Sequence, residues 1–406
     1  MPLDHDTSVG AYVEPASLYA TLGALGNDLA DAYRRLLAAV PGSPHTPTTL
    51  ALQLGLSRVI VSKLVNAVAR SDPYEVLDHL PGPESLRAIT RATAKLGLTR
   101  DLIAPADRAV DAFATRIRDD FGTRSALSAA VTARSPQSRL RFERASRYQV
   151  FLGLRQILGV EARTWLTSMI FVPAPDDPAR LAVTTIHGAL AMRRLRPGVD
   201  VYFTFGPPPQ ATSEQHDVSR SPIELREFYT HPPAPLESQL IGGQLVHRLA
   251  HDRLGRRATV DMLAVGHDAR GSQRYATPQH PRGGVVVFPD VPVKVLICDA
   301  LLHDDVFPGA TPEFIVYDPG SRGPANPADR ARDIDRVVVP DEIEALDKAD
   351  HRFDVPEVPH YRAMLTRVCE QVAVDMARLR VFRLRMLYPV HNFQITLAFD
   401  APPHPI

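Results

Sequence analysis

The stretch Pro47–Asn66, PTTLALQLGLSRVIVSKLVN, restricts the fold of this chain more than any other segment. Leu50, Ala51 and Leu54 recur at helical spacing, Gly55 interrupts them, and Leu56, Val61 and Leu64 resume the pattern. Two short helices crossing steeply need a small residue where they touch and a turn residue that tolerates positive φ. Ala51 and Gly55 meet those needs. Ser57 stands where a side chain can cap the second helix. The pattern is that of a helix-turn-helix.

Further helices surround it. Ala16–Val40 carries Leu18, Leu22, Leu25, Leu29, Tyr33, Leu36 and Leu37 at helical spacing, and the proline-rich run at 41–47 ends it. Pro83–Leu96 and Ala104–Phe121 continue as helices, the second with Gly122 as its carboxy-terminal cap. After Arg70, Ser71 and Asp72 read as the cap of a short helix, where a winged domain would place two β-branched strands. The basic run Arg134–Arg147 bears Arg134, Arg139, Arg141, Arg144 and Arg147 and leads into Tyr148–Leu158 within one helix. Its plain reading is a solvated face with local ion pairs such as Glu143–Arg147. The alternative is a face for phosphates or an acidic partner subunit.

From about Val160 the texture changes. Trp165–Val172, Leu181–Ile186, Val199–Phe205, Thr259–Val265, Gly284–Phe288, Val291–Cys298 and Glu313–Tyr317 read as strands. Helices are expected over Leu240–Leu254 and Tyr361–Leu379, and two last strands over Val381–Leu387 and Asn392–Phe399. The proline-rich segments Pro207–Pro235 and Pro319–Asp333 are long for connections in a compact domain, which points to binding loops, lids or disorder. The expected fold is α+β: a helix-turn-helix domain at 1–80, a helical connector at 81–159, and a β-rich α+β domain at 160–406 for ligand binding or assembly.

The residues of Pro47–Asn66 resemble the DNA-binding helix-turn-helix of bacterial transcription regulators, especially winged-helix types such as the MarR and IclR families. The resemblance implies that the second helix enters the major groove of double-stranded DNA. Thr48, Ser57, Arg58, Val59, Ser62, Lys63 and Asn66 would then face the duplex. Arg58 would fork onto guanine and Asn66 onto adenine or a phosphate. Thr48, Ser57 and Ser62 suit phosphate contacts, and Lys63 neutralises one. Val59 and Ile60 add apolar surface, for thymine methyls, a neighbouring helix or a second subunit. The resemblance implies a homodimer or higher homo-oligomer and leaves room for a small-molecule effector. The competing expectation is a structural or assembly protein that keeps the helix-turn-helix as a packing element.

Charge weighs on that choice. The formal net charge is zero, so any affinity for DNA must come from a local patch, and Asp72, Glu75 and Asp78 follow the motif closely. Cys298 and Cys369 are the only cysteines, so a reducing, cytoplasmic setting is expected, without a disulfide framework. The first fifteen residues carry acids where a secretion signal carries bases, and no run approaches the ~18 apolar residues of a membrane span.

Catalytic signatures are missing: no G-x-S-x-G, P-loop or dinucleotide-binding glycine pattern occurs, and no enzyme or cofactor is expected. His247 and His251 lie four apart, as zinc ligands can, with Asp252, His267 or Asp268 as a third ligand. Arg248 occupies the place where a zincin has glutamate, so no metal is assigned. Cys298-Asp299, with His303, Asp304 and Asp305 beyond, imitates a nucleophile with helpers, but Cys298 and Cys369 read as buried apolar residues.

Overall fold

The structure, a computed structural model, describes residues 15–134, 136–204, 225–228, 230, 234–241, 244–250, 253–346 and 353–405. The chain divides into two compact units, Met1–Phe142 and Glu143–Ile406. It is a mixed α+β protein, helical first and β-rich afterwards.

The first unit is built of α1 (Pro15–Ala38), α2 (Pro47–Leu54), α3 (Arg58–Val68), α4 (Pro73–His79), α5 (Pro83–Lys95), α6 (Arg100–Arg116) and α7 (Arg124–Thr132). Helix α6 runs on into a π-helical turn, Ile117–Phe121, and Gly122 ends it at φ 68. Helix α8 (Pro136–Leu158) carries the chain across the division. Five of these starts have a visible local cause. Thr46, Ser57, Asp72 and Thr123 accept hydrogen bonds from the first turns of α2, α3, α4 and α7, and proline begins α2, α4 and α5. One apolar core joins all seven: Leu22, Leu29 and Tyr33 of α1 pack with Leu64, Leu77, Ile89, Val110, Phe113 and Leu127. Residues 81–132 are therefore not a connector; they close the same core as the helices before them.

The second unit contains β1 (Val160–Pro173), β2 (Arg180–Arg194), β3 (Tyr202–Thr204), β4 (Leu236–Ile241), β5 (Gln244–Leu249), β6 (Val260–Gln273), β7 (Arg282–Val287), β8 (Val293–His303), β9 (Glu313–Tyr317), β10 (Ile343–Leu346), α9 (Tyr361–Gln371), β11 (Leu379–Leu387) and β12 (Gln394–Asp400). A six-stranded sheet has the order β10-β11-β8-β1-β2-β6, with β1 and β8 parallel and the other neighbours antiparallel. The sheet β7-β12-β9 closes one of its faces over Trp165, Leu296, Leu384, Val285, Leu397 and Phe399. Helix α9 covers the other over Ile170, Ile186, Ile297, Leu301, Met364 and Val368. A small third sheet has the order β3-β5-β4.

Two expected helices change. Leu240–Leu254 is not helical where it is described: it supplies the last two residues of β4 and all of β5, antiparallel strands paired from Leu236 with Leu249 to Ile241 with Gln244. Its apolar residues fit both periods, and the pair Gly242-Gly243 between them in sequence is a hairpin signal. Helix α9 stops at Gln371, well before Leu379, because Ala373 adopts φ 55 and Val374 N–H turns back to the Cys369 carbonyl at 2.8 Å. The segment Pro319–Asp333 is tied down. Asp335 is gripped by Arg322 and Arg332, and the Gln394 amide holds both the N–H and the carbonyl of Ala325, at 2.7 and 2.8 Å. Most of Pro207–Pro235 lies outside the described residues.

Candidate nucleic-acid interface

Helices α2 and α3 meet through a short turn whose geometry follows from its residues. Thr46 Oγ1 accepts the Thr49 N–H at 3.2 Å and opens α2. Gly55 ends it in the left-handed region, φ 62 and ψ 34, and Leu56 N–H returns to the Ala51 carbonyl at 3.0 Å. Ser57 then caps α3, its Oγ accepting from Val59 N–H at 3.3 Å. The inner side of the pair is apolar: Leu50, Ala51 and Leu54 from α2 and Val61, Leu64, Ala67 and Val68 from α3 are buried. The far end of α3 is capped from α1. Arg34 donates Nε–H to the Val68 carbonyl at 2.6 Å and Nη2–H to the Arg70 carbonyl at 3.0 Å.

The outer side carries the residues expected there. Thr48, Ser57, Arg58, Val59, Lys63 and Asn66 are exposed, and Ser62 is half-buried. Asn66 Nδ2 lies 3.4 Å from Ser62 Oγ, one turn back. Arg58 and Lys63 enter no ion pair among the described residues. The acids that follow are engaged. Asp72 caps α4 through Tyr74 N–H at 2.9 Å, Glu75 pairs with Arg70 at 2.6 Å, and Asp78 stands 3.7 Å from His79. Residues after α3 thus form a helix, as Ser71 and Asp72 suggested, and no strand of a wing occurs among the described residues of this unit. Helix α4 sits tight on α1: a Cβ on Gly26 would come within 2.3 Å of the Pro73 carbonyl oxygen.

The arginine run is not an open cationic strip. Arg134 stacks on Tyr19, its guanidinium carbon 4.4 Å from the ring centre, and Arg141 Nη1 lies 2.8 Å from His79 Nε2. Arg147 is 6% exposed and pairs with buried Asp341 at 2.8 Å, not with Glu143 as the spacing suggested. A partner almost two hundred residues on leaves no trace in the local pattern.

In the second unit, His247 stands on β5, not on a helix, with its Nδ1 2.8 Å from Ser238 Oγ. His251 and Asp252 lie outside the described residues. Among the described residues, no group of three or more His, Cys, Asp or Glu is arranged to hold a metal. Burial pushes the Cys298 thiol far up and the Cys369 thiol up to about 12, so neither is poised as a thiolate.

Asp299 has a role that its neighbours in sequence do not show. Ser168 of β1, Asp299 of β8 and Arg383 of β11 are cross-strand partners in one row facing α9. Tyr361 O–H donates to Asp299 Oδ2 at 2.6 Å and lies 2.8 Å from Ser168 Oγ, while Arg383 holds Asp299 through Nε and Nη2 at 2.9 and 2.7 Å. All four residues are at most 5% exposed, so the row fastens α9 to the sheet. An acid inside the apolar run VPVKVLICD signals a buried partner; that the partner is Arg383, 84 residues on, is beyond local reading. Among the described residues no helix is long and apolar enough to cross a membrane. No protein-family model matches the chain, and no curated protein matches it.

Proposed function

We propose that α2, the Gly55 turn and α3 are a DNA-reading helix-turn-helix, and that the chain is a transcription regulator working on double-stranded DNA. The carrying observation is the outer side of α3, with Arg58 and Lys63 exposed and, among the described residues, without ion pairs, and with Thr48, Ser57, Ser62 and Asn66 around them. Buried Val61 and Leu64 hold that side outward, and the acids close by in sequence are already occupied. In this reading Arg58 and Asn66 meet base edges, and Thr48, Ser57, Ser62 and Lys63 meet phosphates. So few cations bind weakly alone, so two copies act together on paired half-sites. The second unit supplies assembly or the sensing of a small-molecule effector, which acts by binding one arrangement of the copies more tightly than another.

The test is duplex binding followed by fluorescence anisotropy across a salt series, with a pool of random duplexes to find the preferred site. The double variant Arg58→Ala/Lys63→Ala weakens binding at least about tenfold, as expected when a contact worth about 1–3 kcal/mol is lost. Lys63→Ala alone lowers the salt slope by about 1. Tight, salt-sensitive binding that survives the double variant overturns the reading.

A second reading, an assembly protein with this motif as a packing element, draws on Leu52 and Val59, which are 79% and 65% exposed on α2 and α3. A large closed oligomer that retains no DNA would favour it; a dimer that retains duplex favours regulation.

A further inference from the structure

Among the described residues, the third sheet ends in a strand with no strand on its far side. All six residues of β4, LESQLI, are exposed, with Leu240 72% and Ile241 52% accessible. Among the described residues β5 is its only strand neighbour. Exposed edges are usually guarded by lysine, proline or a bulge. Strand β4 has no lysine and no proline, and its pairing with β5 runs without a register shift. Its one acid is already neutralised, because Arg248 of β5 holds Glu237 at 2.7 Å.

The hydrogen-bond phase of the edge can be worked out. Ala250 N–H donates to the Pro235 carbonyl at 2.9 Å, while Leu249 N–H donates to the Val201 carbonyl at 3.0 Å. Even-numbered residues of β5 therefore bond toward β4 and odd-numbered ones toward β3. Across the pairing, Glu237, Gln239 and Ile241 spend their backbone groups on β5. Leu236, Ser238 and Leu240 turn theirs to the open edge.

We infer that β4 pairs antiparallel with β4 of a second copy, about a two-fold axis through Ser238. That register alone puts all three outward residues into hydrogen-bonded pairs: Leu236 opposite the second copy's Leu240, Ser238 opposite its Ser238, and Leu240 opposite its Leu236. Each pair exchanges two backbone bonds. The leucines of both copies share one face of the joined sheet, and Glu237 lies opposite the second copy's Gln239, so no like charges oppose. The closed pairing consumes both open edges, which a self-complementary two-fold contact does and a head-to-tail contact does not. The inference stands on β4 and is independent of DNA binding.

The experiment uses the full-length chain in sedimentation velocity over a concentration series, with hydrogen–deuterium exchange resolved to single amides. The parent chain dimerises. The amides of Leu236, Ser238 and Leu240 slow only when it does, while those of Glu237, Gln239 and Ile241 are slow at every concentration. Leu240→Lys raises the dissociation constant at least about tenfold, with an unchanged circular dichroism spectrum because Leu240 is exposed. The double variant Leu236→Lys/Leu240→Glu sets opposite charges against each other across the axis and recovers association. A parent chain that stays monomeric, a Leu240→Lys variant that associates as well as the parent, or a double variant that does not recover overturns the inference.

Discussion

The two units bury different things. Among the described residues of the helical unit, the buried polar side chains are Thr90, Thr93 and Thr132. Its buried phenol, Tyr33, is satisfied by the Leu86 carbonyl at 3.0 Å and Thr90 Oγ1 at 2.9 Å. Among the described residues, the buried charged side chains all lie in the second unit: Arg147, Glu161, Arg194, Asp299, Asp335 and Arg383. The contrast follows from how each unit is specified. The helices carry their own start and stop signals, so an apolar interior suffices to pack them. A strand shifted by one residue turns its whole pattern over, and the second unit joins strands far apart in sequence. A one-residue slip between β8 and β11 would part Asp299 from Arg383 and strand a charge in the interior, so the pair penalises wrong registers more than it adds to stability.

Three measurements test that contrast. The chain's one tryptophan, Trp165, is 1% exposed in the second unit, so its fluorescence follows that unit, while far-ultraviolet circular dichroism is weighted toward the helices. The largest effect is expected from Asp299→Ala, which leaves the Arg383 guanidinium buried without its carboxylate. Urea unfolding followed at Trp165 should lose about 3–5 kcal/mol. A loss below about 1 kcal/mol, the worth of a surface pair, would remove the idea that buried charge fixes the register.

A smaller change is expected at Asp290, where Oδ2 accepts from the N–H and hydroxyl of Thr204 and the buried Oδ1 has no partner. Burial pushes this carboxyl up to about 7, against the hydrogen bonds from Thr204, from an ordinary value of 3.8. The folded chain then holds a proton that the unfolded chain has already lost. The contribution is complete below about pH 4 and is lost as pH rises through about 7. His187, pushed down to about 4 by burial, gives the opposite slope below 6.5, so the comparison is variant against parent. Asp290→Asn should flatten the fall in Trp165-detected stability between pH 4 and 7; an unchanged slope refutes the assignment.

The smallest effect belongs to the helical unit. Ser57→Ala removes the cap of α3 and should cost about 1 kcal/mol, read in the helical signal and not at Trp165. An equal shift in both signals would show that the two kinds of specification are not separable.

What could be read beforehand divides along the same line. The caps at Ser57 and Asp72, the left-handed Gly55 and the inward Val61 and Leu64 depend on residues within a turn or two, and the stretch from 47 to 72 displays them all, whereas the cap at Thr46 went unread. The set Thr48, Ser57, Arg58, Val59, Ser62, Lys63 and Asn66 comes from the resemblance to helix-turn-helix regulators, and these residues are exposed apart from half-buried Ser62. The run at 240–254 misleads because its leucines satisfy a period of 3.6 and a period of 2 alike; pairing with β3, not propensity, makes it a strand. Arg147 was legible as basic but not as buried, since Asp341 is what draws it inside.

Residue choice over short distances accounts for the helices, their ends and which of their faces look outward, because those features are settled by capping and by the spacing of apolar side chains along one element. Tertiary packing alone decided that β8 lies between β1 and β11, that Ser168, Tyr361, Asp299 and Arg383 form one enclosed row, and that β4 has, among the described residues, β5 as its one strand neighbour. The reason is physical: a backbone ladder bonds any sequence to any other, so the partner of a strand is chosen by the burial of whole faces and the pairing of distant charges, and neither is written in the strand.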